Sequence, residues 1–394
     1  MATNADGFGE TAELRLIEET AAQIASQYDD DYWQAVNHEQ VEPTEFWQDC
    51  ADAGFLGVTV PEAYGGEGMG IQELTTIVRT LEQHGCMGVG MLFVVTPVFG
   101  AITLSENGTE HQKEEYLPKL VNGELNFCMA LTEPTAGHNT PNLDTTAEPD
   151  GNGFVVNGSK QWISGVDRAD KMLLVARTTP KDQVERRTHG ITLFLADPSD
   201  PGVEYRELDT GIPAPETQFE ISFDDYRLDS DAVIGDQGRG LYQLFDTVNP
   251  ERLVGAAGAV GAGKCALQRA VEYATEREVF DAPIGTHQAI QHPLADKWSR
   301  LEAAELLVKK GAWLADATEG DAGAAANMAK LRASEAGYDA CDFAVQVHGG
   351  NGFSEDYFVV DLWKSARLGR VAPGSSEMMR NYIAERVLGL PRSY

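Results

Sequence analysis

The segment VNPERLVGAAGAVGAGKCALQRAVEYA, residues 248–274, constrains this chain more than any other. Asn249-Pro250 predicts a helix start. Asn caps, and proline fits the first helical position because its missing N–H is not needed there. From Glu251 the pattern is one long helix, with Leu267, Ala270, Val271 and Ala274 at helical spacing. Gly255, Gly258, Ala262 and Ala266 make a stripe of small residues on it. Glycine in a helix interior costs up to about 1 kcal/mol against alanine. Such a stripe is expected where another helix, or a flat ligand, comes close to the backbone.

The same segment contains Gly258, Gly263, Lys264 and Cys265 in the order G-x-x-x-x-G-K-C. A phosphate-binding loop of this type needs a preceding strand and a Ser or Thr after the lysine to hold Mg²⁺. Here a helix start precedes it, and Cys265 is a poor Mg²⁺ ligand. The segment therefore reads as packing, not as a nucleotide site.

Acidic residues number 62 and basic residues 30, for a formal net charge of −32. They are spread along the chain, which argues against nucleic acid or anionic membrane surfaces as partners. Lysine is scarcer than arginine. The composition fits a solvated acidic surface suited to high salt, where repulsion is screened; a patch for a basic partner is the alternative. Five cysteines without a C-x-x-C read as reduced thiols, and no metal site is expected. The N-terminal twenty residues are acidic and lack a signal-peptide core. The longest apolar run, GVGMLFVVTPVFGAI, reads as too short for a bilayer span and contains Pro97. A cytoplasmic protein without membrane insertion is expected.

Three regions follow one another. Residues 1–125 carry helical periodicity in TAELRLIEETAAQIASQY, PTEFWQDCADAGF, IQELTTIVRTLEQHG and TEHQKEEYLPKLVNG. Residues 126–235 carry strand patterns in FVVNGSKQWIS, KMLLVAR, GITLFLAD, VEYREL and QFEISFDDYRL, and Asn157-Gly158 signals a hairpin. Residues 236–394 return to long helices, broken at DAPIG, EGDAG, HGGNGFSED and RVAPGSS. The fold class is α+β, with helices, an antiparallel β region and helices again.

Four motifs now stand in order: ALTEPTAG (130–137), NGSKQWIS (157–164), Arg277-Glu-Val-Phe280 with Gln288, and QVHGGNG (346–352). With them the chain resembles the acyl-CoA dehydrogenases over essentially its full length. The resemblance implies an N-terminal all-α domain, a central antiparallel β-barrel or sandwich and a C-terminal four-helix bundle. It implies FAD as cofactor, with flavin contacts at Leu131, Thr132, Trp162, Ile163 and Ser164. Trp162 offers an apolar wall, and the Thr132 and Ser164 hydroxyls can hydrogen-bond ring N and O atoms. Arg277, Phe280 and Gln288 resemble the part that reaches FAD from a neighbouring subunit, with Arg277 on the pyrophosphate. Gln346, Gly349 and Gly350 resemble the adenosine segment, where glycine lets the backbone come close. Ser375 and Glu377 complete the implied cofactor set. The implied acyl-CoA contacts are His138, Asn249, Arg252, Ala372, Pro373 and Gly374.

The chain departs from the family in three places. His138 stands where a serine is usual, Asp281 follows Phe280 where a glycine is usual, and Pro373 stands where many members carry the catalytic glutamate. A minority, resembling the isovaleryl-CoA and long-chain dehydrogenases, takes the base from a Glu-Arg-Leu before a run of small residues. Residues 251–253 are Glu-Arg-Leu, so Glu251, in the first turn of its predicted helix, is the expected base. It would take the α-hydrogen as a proton while the β-hydrogen leaves as hydride to flavin N5, giving a trans-2-enoyl-CoA. The resemblance further implies electron-transfer flavoprotein as acceptor and a homotetramer, a dimer of dimers. The rivals are an oxidase or monooxygenase on the same fold, told apart by fast reoxidation of reduced flavin in air, and a catalytically inactive flavin-binding protein. Compact residues at the expected pocket (Gly255, Ala372, Pro373) hint at room for a branched or cyclic acyl chain.

The acidic surface makes a prediction of its own. Activity and melting temperature are expected to be higher in molar KCl than in dilute buffer; equal values in both would contradict a salt-adapted surface.

Overall fold

The computed structural model describes residues 11–317 and 322–393. The first ten residues of the acidic N-terminus and the first three residues of the EGDAG break lie outside the described residues.

Helices α1 (Ala12–Ala25), α2 (Asp30–His38), α3 (Thr44–Asp52), α4 (Ile71–Gln83), α5 (Val89–Phe93), α6 (Thr103–Asn107) and α7 (Glu110–Val121) come first. Their starts follow ordinary capping. Thr11 and Asp29 accept from backbone N–H groups one turn on, and Thr109 with Gln112 makes a reciprocal capping box at α7. Between α5 and α6 the chain continues as a π-helical turn, Val94–Ile102, around Pro97, whose ring and missing N–H exclude a regular α-helical ladder. This corrects the expectation that the apolar run is too short. With its flanks it makes a 19-residue helix, Val89–Asn107, long and apolar enough to cross a membrane, yet 72% of its apolar window is buried inside the protein. Strand β1 and the C-terminal helices cover it: Gly100 faces Phe127, and the Thr96 hydroxyl accepts from the Phe127 N–H at 3.1 Å.

Strands β1 (Phe127–Ala130), β2 (Thr146–Asp150), β3 (Gly153–Ser164), β4 (Lys171–Arg177), β5 (Ile191–Ala196), β6 (Val203–Leu208), β7 (Gln218–Asp229) and β8 (Val233–Ile234) form one eight-stranded sheet. The order is β6-β7-β3-β2-β4-β5-β8, with β1 added on β4. Most pairs are antiparallel, but β1 runs parallel to β4, a departure from the all-antiparallel expectation. Asn157-Gly158 is not a hairpin. It lies inside β3 at a bulge against β7, where Asn157 exchanges hydrogen bonds with Asp225. The hairpin is one turn earlier, at Asp150–Gly153 between β2 and β3. Gly158 is required there because a Cβ would lie 2.6 Å from Thr145 Cα, at φ +149°.

Helices α8 (Gly240–Gln243) and α9 (Phe245–Glu276) follow, then the small ribbon β9 (Glu278–Val279) and β10 (Ala282–Pro283). Helices α10 (Gln288–Asp316), α11 (Ala322–His348), α12 (Val359–Leu368) and α13 (Ser376–Tyr382) complete the chain. Helix α9 begins one turn earlier than Asn249-Pro250 predicts, so Pro250 sits inside it and Glu251 in its second turn.

The small residues of α9 do bring helices together, but the tightest approaches fall on other residues than those of the predicted stripe. A Cβ on Gly261 would sit 2.4 Å from the Arg79 carbonyl of α4, and one on Gly337 of α11 would sit 2.3 Å from the Ala259 carbonyl of α9. Gly258 is in ordinary contact with Glu82 and Val78 of α4. Lys264, the lysine of the near-P-loop pattern, is buried in an ion cluster instead. Its Nζ meets Glu305 at 2.5 Å and Glu302 at 2.7 Å, and Arg79 joins Glu305 to Glu18. Burial alone would push the Glu305 carboxyl up, but Arg79, Lys264 and Lys309 hold it at about 2.

Two predictions concern this framework. Helix propensity alone expects Gly337→Ala to stabilise by about 1 kcal/mol. The backbone-on-backbone clash reverses that sign and should cost roughly 1–3 kcal/mol in a denaturant titration; a raised midpoint would contradict the close α9–α11 contact. Lys160, fully buried in β3, donates to Glu133 Oε1 at 2.8 Å and to the Leu131 and Val175 carbonyls at 3.0 and 2.7 Å. Lys160→Met strands the buried Glu133 carboxylate and should cost about 3–5 kcal/mol, read in the same titration; a change below about 1 kcal/mol would contradict an ionised buried pair.

Candidate active site

The resemblance residues of the sheet sit where β1 ends and β3 ends. Glu133 accepts from the N–H groups of Asp144 at 2.5 Å and Thr145 at 3.0 Å. Burial would raise its carboxyl, but Lys160 and these donors outweigh that and hold it below the usual carboxylate range. This brace fixes Leu131 from below through its carbonyl. Thr132 is tied by its own carbonyl to the Gln161 N–H at 2.8 Å, and its hydroxyl makes no hydrogen bond among the described residues.

At Trp162 the β3–β7 register shifts and φ is +62°. This bulge turns the indole out of the sheet, leaving it 55% exposed. Ile163 points the other way, into the sheet core at 1% exposure, so its side chain cannot contact a ligand and only its backbone is available. The Ser164 hydroxyl pairs with Gln218 at 2.9 Å, and Gln218 also reaches Met91 Sδ of α5 at 4.0 Å.

The second wall comes from α9 and the segment before α13. Glu251 lies beside Arg252, whose Nη1 donates to Asn249 Oδ1 at 3.2 Å. The Glu251 carboxylate has no hydrogen bond or ion pair among the described residues, in a chain rich in both. Desolvation pushes it up to about 7 against the pull of Arg252 and Lys330. One turn on, at Gly255, a Cβ would stand 3.1 Å from Pro373 Cδ and 3.8 Å from Lys330 Cε. Gly374 takes φ +70°, where a Cβ would meet Met379 Cε at 2.9 Å. Ala372 is held by its N–H on the Leu368 carbonyl at 3.0 Å.

His138 closes the gap between the two walls. Its Nε2 accepts from the Ser375 N–H at 3.1 Å, which puts the ring proton on Nδ1 and leaves that N–H as the donor His138 can offer in place of a serine. Ser375 in turn caps α13 through Met378 N at 3.3 Å. Glu377 is exposed on α13 beside Arg380. Thus Leu131, Thr132, Trp162, Ser164, His138, Ser375, Pro373 and Glu251 belong to one connected region.

The other predicted residues are elsewhere. Arg277, Phe280, Gln288, Gln346, Gly349 and Gly350 are all exposed at the far end of the bundle. There Asn351 donates to Tyr273 at 3.1 Å and the Ile284 N–H reaches the Arg277 carbonyl at 2.8 Å. Along α9, 26 residues separate Glu251 from Arg277, or about 39 Å at 1.5 Å per residue. Phe280 is 89% exposed and the Arg277 guanidinium has no ion-pair partner among the described residues, although the chain carries 62 acidic residues. Added Cβ atoms on Gly349 and Gly350 would meet nothing within 4 Å.

Sequence reasoning missed Lys330 and Gln218. Lys330 is one of few charged residues in an alanine-rich helix, spaced with Ala326, Ala329 and Ala333 that are all buried; a lysine on such a face was the available signal.

Comparison with known proteins agrees with this architecture. Family models described as the N-terminal, middle and C-terminal domains of acyl-CoA dehydrogenase match residues 11–124, 128–226 and 238–388. The chain is 40% identical over 392 residues to acyl-CoA dehydrogenase FadE12 of Mycobacterium tuberculosis, covering 98% of this chain and 99% of that protein. Its fold is similar to glutaryl-CoA dehydrogenase in complex with glutaryl-CoA, with TM-score 0.92, 27% identity, and coverage of 100% of this chain and 98% of that one. It is also similar to the FAD complex of PigA, with TM-score 0.90, 27% identity, and coverage of 99% and 100%. A sheet braced behind an out-turned tryptophan, a helical wall with a lone carboxylate, and three domain matches in order lead to one conclusion: the chain belongs to the acyl-CoA dehydrogenase family, an oxidoreductase family.

Proposed function

We propose that the protein is an FAD-dependent acyl-CoA dehydrogenase that converts an acyl-CoA thioester to a trans-2-enoyl-CoA with Glu251 as the base. The observation that carries this reading is the Glu251 carboxylate. It is desolvated, unpartnered, and faces the same region as Pro373, which cannot accept a proton. Its place in the second turn of α9 weakens the bland alternative of a first-turn acid held by the helix dipole, because that effect fades beyond the first turn.

The residues fit FAD. Trp162 presents an exposed apolar face, the Thr132 hydroxyl and the Arg277 fork have no hydrogen-bond or ion-pair partner among the described residues, a fork being suited to a pyrophosphate, and Gly349-Gly350 leave the backbone open. When bound, FAD supplies the acceptor for the β-hydrogen as hydride. Leu131, Trp162 and Ser164 orient and dry one side of the substrate region, with Ile163 contributing backbone only. Asn249 and Arg252 hold the base helix and line the acyl-CoA side with Ala372, Pro373 and Gly374. Glu251 takes the α-proton on its carboxylate.

Arg277 lies about 39 Å along α9 from Glu251, and Phe280 and Gln288 follow it at the same end of the bundle, so these three, with Gln346, Gly349 and Gly350, serve a neighbouring copy's cofactor. This supports the homotetramer, as does the exposure of Phe280, Leu306 and Trp313 on the bundle. Ser375, the N-cap of α13, and Glu377, in its first turn, complete the cofactor side. Family membership supports electron-transfer flavoprotein as the acceptor.

Proton abstraction needs the carboxylate, so the rate of anaerobic flavin bleaching by acyl-CoA should rise with pH through about 7 and level off above it. Glu251→Gln should keep FAD and acyl-CoA binding and lose at least about a hundredfold in bleaching rate, the lower end of what a positioned base contributes. Near wild-type bleaching in that variant would move the base elsewhere, with Glu377 next to test.

A further inference from the structure

Lys330 lies on α11, fully buried at 1% exposure, and forms no contact ion pair with any acid among the described residues. A buried ammonium without a carboxylate in contact is costly unless its charge is used. Two features surround it. Its Nζ donates to the carbonyl of Gly369, the C-cap of α12, where the helix dipole places negative charge. Its stem packs on the α9 face one turn beyond Glu251, since a Cβ at Gly255 would lie 3.8 Å from Lys330 Cε. Residues four apart share a helix face, so Glu251 and Lys330 face the same dry space. Pro373 fills the third side of it. The charged groups acting on Glu251 are Arg252 from its own helix and Lys330 from α11. Arg252 is already tied to Asn249 and faces Tyr382, while Glu251 is the one counter-charge acting on Lys330 among the described residues.

We propose that Lys330 is a positioning residue for the base: its buried charge keeps the Glu251 carboxylate ionised without contacting it, and its bond to Gly369 holds the segment leading to Pro373 against the same face. This rests on the reading of Glu251 as base. A contact ion pair would occupy the carboxylate and oppose protonation by substrate. A charge held at longer range through a desolvated gap favours the anion and leaves both oxygens open. Burial draws the Lys330 ammonium down and the Glu251 carboxyl up, and each charge opposes that shift in the other.

The test is an infrared pH titration of the Glu251 carboxyl in the FAD-loaded protein, assigned by subtraction of Glu251→Gln. Alongside it runs the pH profile of anaerobic bleaching by acyl-CoA. Lys330→Met removes the charge; Lys330→Gln removes it but keeps a donor for Gly369, and serves if the Met variant does not fold. In either variant the carboxyl midpoint and the acid limb of the bleaching profile should move up together by about 1–3 pH units, the effect of losing a nearby opposite charge. Lys330→Arg should restore the wild-type midpoint. A folded, FAD-loaded neutral variant with an unmoved midpoint would overturn the role of Lys330 while leaving Glu251 as base. Unchanged bleaching in Glu251→Gln would instead overturn the reading on which it rests.

Discussion

Everything at the site depends on how closely α9 can be approached. Gly261 lets the α4 backbone touch it, and Gly337 lets α11 press on the Ala259 carbonyl. Larger residues at these crossings would separate the helices. The consequence is that α9 is clamped by the N-terminal helices on one side and by α11 on another, with Lys264, Glu305 and Arg79 neutralising one another where they meet. A helix held this firmly can present one unpartnered carboxylate in a fixed place. The glycine content lowers α9's own propensity, so its stability comes from packing.

The two walls of the site use buried charge in opposite ways. In the sheet, Lys160 and Glu133 touch, and both are saturated by backbone groups. That pair is a brace: it fixes the Leu131 strand end, and all three Lys160 donors are used within the protein. On the α9 side, Glu251 is left without a partner. Its affinity for a proton is set by desolvation and by charges that do not contact it. His138 bridges the walls by accepting from the Ser375 N–H, so the segment bearing Pro373 is anchored to the sheet as well as to α12.

Much of this was legible in the residues. The periodic segments at the start of the chain became α1, α3, α4 and α7, and the Glu-Arg-Leu motif lies on α9 with Glu251 in its second turn. What failed did so for physical reasons. Asn157-Gly158 fits a tight turn as well as a bulge, and only the pairing with β7 decides between them. Asn249-Pro250 looks like a helix start because proline tolerates one, yet tertiary packing extends α9 a turn further back. The apolar run around Pro97 seemed interrupted, but a π-helical turn absorbs the proline. Ile163 keeps its place in the flavin motif through its backbone, since strand alternation beside the bulge sends its side chain inward. The distance between Arg277 and Glu251 follows from helix length alone once α9 is seen to be unbroken. Lys330 gave one signal, a lysine on a face of buried alanines, but its neighbours come from helices that meet across the fold.

The most direct measurement is an experimental structure of the FAD-loaded protein with an acyl-CoA analogue that cannot be dehydrogenated. The account predicts a Glu251 carboxylate oxygen within about 3.5 Å of the analogue's α-carbon, a near-attack distance, with no other carboxylate there. A different carboxylate at the α-carbon, or Glu251 turned away from it, would contradict the account.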